Sequence, residues 1–273
     1  MEVIEKIVEY KRPDEFYIYP IGDIHIGSIH CAENDIKEKI REIAHQKNAY
    51  IIGMGDYAEC IVKDDKRFDM MGLSGWVTKD NIIESQRERV VELFKPVRHK
   101  IIALLTGNHE ESIHTSYQYD FTRNICKDLG VLYGGYAAFI LLLFKRLNKT
   151  ETPPSRLFKV HAWHGAGAAQ TEGARLMRLM RLVNEAYAHV YLMGHLHAMT
   201  QHTPDRLECI SKRIKSTKLA ATITGSWLKT YTQPKEGENI GISYAEKQGY
   251  KPSRIGCPCI KIVPDKNTFT IES

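Results

Sequence analysis

Apolar residues recur along this chain at two alternating periods, one suited to strands and one to helices. Residues 15–21 read as a strand, 35–47 place Ile36, Ile40 and Ile43 on one helical face, and 49–54 read as the next strand. That order makes a βαβ unit. The pattern recurs, with Ile82, Ile83, Val90, Val91 and Phe94 on the apolar side of a helix over 81–97 and a buried strand over 100–105. A helix over 119–129 follows, then strand, Gly134-Gly135 turn and strand across 131–144. Next come a strand over 157–163, a helix over 172–186 and a strand over 189–193. Beyond residue 202 the chain holds short β-rich segments at 219–224, 260–263 and 268–271, with a Gly- and polar-rich loop over 231–256. The alternation predicts a four-layer α/β architecture with parallel pairing, a central β-sandwich flanked by helices.

No segment repeats at a fixed period and no Pro/Gly/Ser-rich stretch is long enough for an interdomain linker. A single domain over 1–273 is expected, with a motif-bearing core at 15–200 and a β-rich part at 201–273 completing the sandwich. With 43% hydrophobic and 26% charged residues the composition excludes disorder, collagen and coiled coil. The net charge of +5 is too mild to mark a nucleic-acid binder, though it suits approach to a phosphate-bearing substrate. The longest apolar run, 136–144, is too short for a membrane span and reads as a buried strand. An acidic start without the basic-then-apolar order of a secretory signal, and six scattered cysteines, predict a cytoplasmic protein with reduced thiols. The closest pair, Cys257 and Cys259, lacks the second pair a zinc site needs and reads as a strand entrance.

The informative polar residues fall directly after the strands. Gly22-Asp23-Ile24-His25 follows the first, Gly55-Asp56 the second, Gly107-Asn108-His109-Glu110 the next, and His164-Gly165 and Gly194-His195-Leu196-His197 two more. Carboxyl ends of parallel strands share one edge, so these five loops are expected to converge there. Asp, Asn and His supply oxygen and nitrogen donors suited to Mn²⁺, Fe, Zn²⁺ or Ni²⁺, and no cysteine lies among them. The seven candidates Asp23, His25, Asp56, Asn108, His164, His195 and His197 exceed the protein complement of one ion. A carboxylate such as Asp56 can bridge two ions, a pair that makes hydroxide near neutral pH and clamps both oxygens of an in-line displacement at phosphorus.

Taken in order, these fragments resemble the calcineurin-like metallophosphoesterases, whose pattern is D-x-H, G-D-x-x, G-N-H-[ED], H-G and G-H-x-H. The likeness runs from Gly22 to His197, about two thirds of the chain. It implies a β-sandwich with flanking helices and a dinuclear metal centre at the strand carboxyl ends. By the same resemblance, Asp23, His25 and His197 hold one divalent ion, Asn108, His164 and His195 the other, and Asp56 bridges them, with manganese the first choice. His109 resembles the family's catalytic histidine, which binds no metal but stabilises charge or protonates the leaving oxygen. Glu110 is a candidate to orient it, or an exposed loop carboxylate. His164 is preferred over His161 because residues three apart face opposite sides of a strand. His30 and His114, read as lying on loops beside the motifs, are candidate substrate contacts.

Departures from the pattern bear on the substrate. Protein Ser/Thr phosphatases of this kind carry G-D-x-V-D-R-G and R-G-N-H-E, whose arginines grip a phosphomonoester in forked geometry. Here the stretches are Gly55-Asp56-Tyr57-Ala58-Glu59-Cys60 and Thr106-Gly107-Asn108-His109-Glu110, without either arginine. The opening Gly22-Asp23-Ile24-His25-Ile26-Gly27 resembles the DNA-repair nuclease branch. The favoured reading is a phosphodiesterase on DNA, RNA or nucleotides, working through a metal-bridging hydroxide. The alternatives are a small-molecule phosphomonoesterase on the same centre and a catalytically silent nucleic-acid-binding or structural subunit. Lys63, Lys66 and Arg67, with Lys212, Arg213, Lys215 and Lys218, are candidates for a phosphate track, and Trp76, Tyr117, Tyr119, Trp227 and Tyr231 for base stacking. The segment 57–79 reads as a substrate-facing cap, and the loop 231–256 as a substrate wall or part of a homodimer contact. No membrane partner is expected.

Overall fold

The computed structural model describes residues 1–65, 68, 70–147, 155–231, 243–247 and 249–272. The chain opens with β1 (Glu2–Tyr10), β2 (Phe16–Ile21), α1 (Glu33–His45) and β3 (Ala49–Gly53). It continues through α2 (Ile82–Phe94), β4 (Ile101–Leu104), α3 (Asn108–Tyr117), α4 (Phe121–Leu129), β5 (Leu132–Tyr133), β6 (Ala137–Arg146) and β7 (Ser155–Trp163). Then come α5 (Glu172–Glu185), β8 (Val190–Met193), β9 (Gln201–His202), β10 (Asp205–Ile210), β11 (Arg213–Lys218) and β12 (Ala220–Ile223). The short α6 (Tyr244–Lys247), β13 (Cys259–Val263) and β14 (Thr268–Glu272) complete the order.

Two mixed six-stranded sheets result, one ordered β14-β13-β2-β3-β4-β5 and the other β1-β6-β7-β8-β12-β9. The period-2 alternation of the strands sorts their side chains into layers. In β6, Ala138, Ile140, Leu142 and Phe144 enter the space between the sheets, where they meet Phe16, Ile18, Ile52, Phe158 and Val160. Phe139, one residue out of phase, packs instead on the side of Leu179, Leu182 and Val183 of α5. On the far side of the other sheet, α1 buries Ile36, Ile40 and Ile43 beside Val90 and Phe94 of α2 and Phe121 and Ile125 of α4. Helices, sheet, sheet and helix are the four layers. Each fully buried Ile, Leu or Phe contributes roughly 1.5–3 kcal/mol, so these layers can carry a site that is itself costly to fold.

The structure corrects the sequence reading in four places. Residues 2–10 form an edge strand, paired in parallel with β6. Gly134-Gly135 does not close a hairpin: β5 pairs with β4 in one sheet and β6 lies in the other, so this turn carries the chain across the sandwich. Asn108 opens a helix instead of lying in a loop. Residues 205–218 fold into a separate two-stranded ribbon, β10 with β11, whose turn residues Ser211 and Lys212 both have positive φ. Among the described residues no helix is long and apolar enough to cross a membrane, and all six cysteines are free thiols. Lys66 and Arg67 lie outside the described residues, as do residues 232–242 and 248 of the loop 231–256.

Candidate metal centre

Asp23 and His25 follow β2, Asp56 follows β3, Asn108 and His109 follow β4, His164 follows β7, and His195 and His197 follow β8. The first three strands belong to one sheet and the last two to the other, so the loops meet across one open end of the sandwich. Asp23, His25 and His197 place donor atoms within 4.8 Å of one another, as do Asp56, His164 and His195. Asn108 joins the second group: its Oδ1 lies 2.7 Å from His195 Nδ1 and 3.1 Å from His164 Nε2. His25 Nε2 is 3.1 Å from His197 Nε2, His197 Nε2 is 3.4 Å from Asp23 Oδ1, and His164 Nε2 is 3.4 Å from Asp56 Oδ2. Such spacings suit neighbouring ligands around a first-row ion bound at about 2.0–2.2 Å.

The backbone that delivers these groups is strained. Asp23, His25, Asp56, His195 and His197 all adopt left-handed conformations, with φ of 48°, 55°, 51°, 68° and 46°. Each costs an L-residue about 1–3 kcal/mol and persists only where surrounding bonds enforce it. Here they do. The His195 N–H donates to the Asp23 carboxylate at 2.9 Å, and the His109 N–H donates to Asp56 Oδ1 at 2.9 Å. The Asp23 carbonyl accepts from the Trp227 N–H and the Ser226 hydroxyl, each at 2.9 Å. Gly107 lets the β3 and β4 loops touch, since a Cβ there would lie 2.1 Å from Asp56 Oδ1.

Three rings are oriented by their remote nitrogens, as ligating histidines usually are. His25 Nδ1 lies 3.0 Å from Glu59 Oε2 and His164 Nδ1 lies 2.7 Å from the Met54 carbonyl, so with Nδ1–H as donor each Nε2 presents a lone pair to the cluster. His109 Nδ1 meets the Glu59 carbonyl. Glu59 therefore serves two rings with two different oxygens.

Burial alone would raise Asp56, yet His164 and then His109 hold its carboxyl well below the usual carboxylate range. Burial would lower His164, but the Asp56 charge and hydrogen bond lift it to about 10. Both shifts express one attraction between the Asp56 carboxylate and the His164 ring. The Asp, Asn and His donor set gathered around them fits divalent metal ions. Elsewhere, burial pushes the Cys257 and Cys259 thiols up, to about 12 and about 11, away from the thiolate a metal needs.

Glu110 is not an exposed loop carboxylate. It is buried in the first turn of α3, where it accepts from the N–H groups of Asp56 (2.9 Å), Tyr57 (2.6 Å) and Gly107 (2.9 Å). Burial and then the Asp56 charge push it up to about 7. His109 itself is half-buried, its ring centroid 4.6 Å from that of His25, and it shares a group of metal-capable donors with His25 and Asp56. His161 faces away, stacked on Phe139 at 4.5 Å in the layer beneath α5. His30 is buried and bonded through its carbonyl to the Lys229 N–H, His114 is exposed on helix α3 and not on a loop, and Lys63 lies in an exposed turn.

The calcineurin-like phosphoesterase model matches residues 16–199, which span all of these loops. The chain belongs to the calcineurin-like phosphoesterase family. Its members are metal-dependent phosphoester hydrolases, so this chain is a metal-dependent phosphoesterase and divalent ions belong with its His/Asp clusters. No curated protein is significantly similar to the chain. Sequence reasoning missed Glu59, Ser226 and Trp227 as supports of the calcineurin-like centre. Glu59 had a signal, lying three residues after Asp56 in the same loop; Ser226 and Trp227, reaching Asp23 through backbone and hydroxyl contacts, had none.

Proposed function

We propose that this phosphoesterase is a dinuclear phosphodiesterase acting on nucleic acid or nucleotides. The observation that carries this reading is the character of positions 60 and 106, where phosphoprotein phosphatases of the pattern place arginines. Cys60 is buried in the helix-side core and its thiol is pushed well up by burial. Thr106 is buried too, bonded through its hydroxyl to Thr122 at 2.6 Å. Both positions serve packing, and among the described residues none of the hydrogen bonds or ion pairs of the seven clustered residues involves Lys or Arg. A phosphomonoester dianion demands such a guanidinium fork more than a singly charged diester does.

In this reading Asp23, His25 and His197 would hold one ion, Asn108, His164 and His195 the other, and Asp56 would serve both, with manganese the first choice. Bound there, the two ions supply a water nucleophile near neutral pH and charge to stabilise the phosphoryl oxygens. The protein's own part is positional. Glu59 and the Met54 carbonyl fix the ring tautomers, Glu110 pins the Asp56-Tyr57 backbone, and Asp56 anchors the start of α3 through the His109 N–H. With Nδ1 committed to the Glu59 carbonyl, Nε2 of His109 is assigned to protonate the leaving oxygen.

The test is hydrolysis of an aryl phosphodiester beside its monoester by the Mn²⁺-loaded protein, with chelator and Asp56→Asn controls. Diester preference of at least about tenfold is expected, with nucleic acids and nucleotides then tried as substrates. Monoester preference would overturn the reading.

A further inference from the structure

The second large sheet is covered by a helix over only part of its outer face. α5 packs its Leu179, Leu182 and Val183 on Tyr191, Met193, Ala221 and Ile223, reaching as far as Phe139 and Trp163. Beyond that limit, β1, β6 and β7 present side chains that belong to none of the three core clusters. Register fixes their rows: Val3 beside Phe139, then Glu5, Leu141 and Lys159 across the three strands, then Ile7, Leu143 and Leu157. Val3, Ile7 and Leu157 are 68%, 48% and 41% exposed, while Leu141 and Leu143 are half-buried. Below them Glu9, Lys145 and Ser155 close the patch with a polar rim. Contiguous apolar patches of this kind, rimmed by polar residues, mark contact surfaces.

We propose that this face is where two copies of the chain pair. The pattern is self-complementary, as a two-fold contact requires. A two-fold axis running along β6 in the plane of contact keeps each row level and exchanges its left and right ends. Glu5 on β1 then faces Lys159 of the second copy, and Ile7 faces Leu157, while Leu141 and Leu143 each meet their own counterparts at the centre. Among the described residues Glu5 has no ion pair, and Lys159 has only the Tyr187 ring, 5.4 Å from its ammonium. Acid at one end of a row, base at the other and leucine between them is an arrangement that a neutral solute or a uniformly charged partner would not match. β1 is also the sheet's edge, with β6 its one partner strand among the described residues. The inference is independent of which phosphoester the chain cleaves.

The test is sedimentation of the full chain over about 1–100 µM, a range that brackets contacts of modest size. A monomer–dimer equilibrium is expected. Glu5→Lys and Lys159→Glu should each weaken association at least about tenfold, and combining them should restore it to within about threefold of the parent, because like charges face each other only in the single variants. Ile7→Asp, on an exposed position, should also leave a monomer, and thermal melts show that each variant folds. A parent monomeric throughout would overturn the proposal. So would a dimer indifferent to Glu5→Lys and Ile7→Asp, or failure of the double variant to recover.

Discussion

Two groups of polar residues stand out in this chain, and folding treats them oppositely. The first, scattered in ones and twos after the strands, is gathered at the end where β2, β3, β4, β7 and β8 finish, and most of its members are buried. The second, Lys212, Arg213, Lys215 and Lys218, is dense in sequence and entirely exposed on the β10–β11 ribbon. That ribbon enters β12 at its beginning, and β12 runs parallel to β8, so its base is separated from the His195 loop by the length of the strands. Four residues of strand make roughly 13 Å. Local charge density thus marked a solvated arm, whereas a single Asp or His after each strand marked the site.

Substitutions in the two regions should have effects of very different size. Asp56→Asn removes the carboxylate that the proposed function assigns to both ions, and phosphoester hydrolysis should fall by about 10⁴-fold or more, with metal content reduced. His109→Ala should lower kcat by about 10²- to 10⁴-fold while metal content stays at the parent level, as metal analysis beside turnover will show. Glu59→Gln keeps the shape but weakens the acceptor that orients His25; metal affinity should drop about 10- to 100-fold, read by chelator competition. At the other extreme, Lys212→Glu with Lys215→Glu should change hydrolysis of a small aryl ester by less than about twofold, since screening acts beyond about 8 Å at physiological salt. A large effect of the ribbon pair would mean that the two regions are not separate.

Much of this contrast was legible in the sequence because it follows from period and order. Helix α1 with Ile36, Ile40 and Ile43, and the strands over 16–21 and 49–53, sit within two residues of where apolar spacing puts them. The loops carrying Asp23, Asp56, Asn108, His164 and His195 meet because their strands all end on one edge. What stayed hidden lacked a local signal. β1 alternates imperfectly, since Val3 and Ile7 face outward among glutamates. The ribbon turns at Ser211-Lys212 without the Gly or Asn that positive φ normally calls for. Glu110, in sequence a plain neighbour of His109, is placed by the fold under the Asp56 loop, a contact between positions 54 apart. Left-handed backbone at five of the clustered residues is likewise held by tertiary bonds, although Asp and His adopt it more readily than most residues.

The most direct test of the centre is the metal content of the parent protein, Asp56→Asn and His109→Ala after equilibration with Mn²⁺ and removal of unbound ion. The account predicts about two ions per chain in the parent and in His109→Ala, and a marked loss in Asp56→Asn. One ion in the parent, or equal loss in both variants, would contradict it.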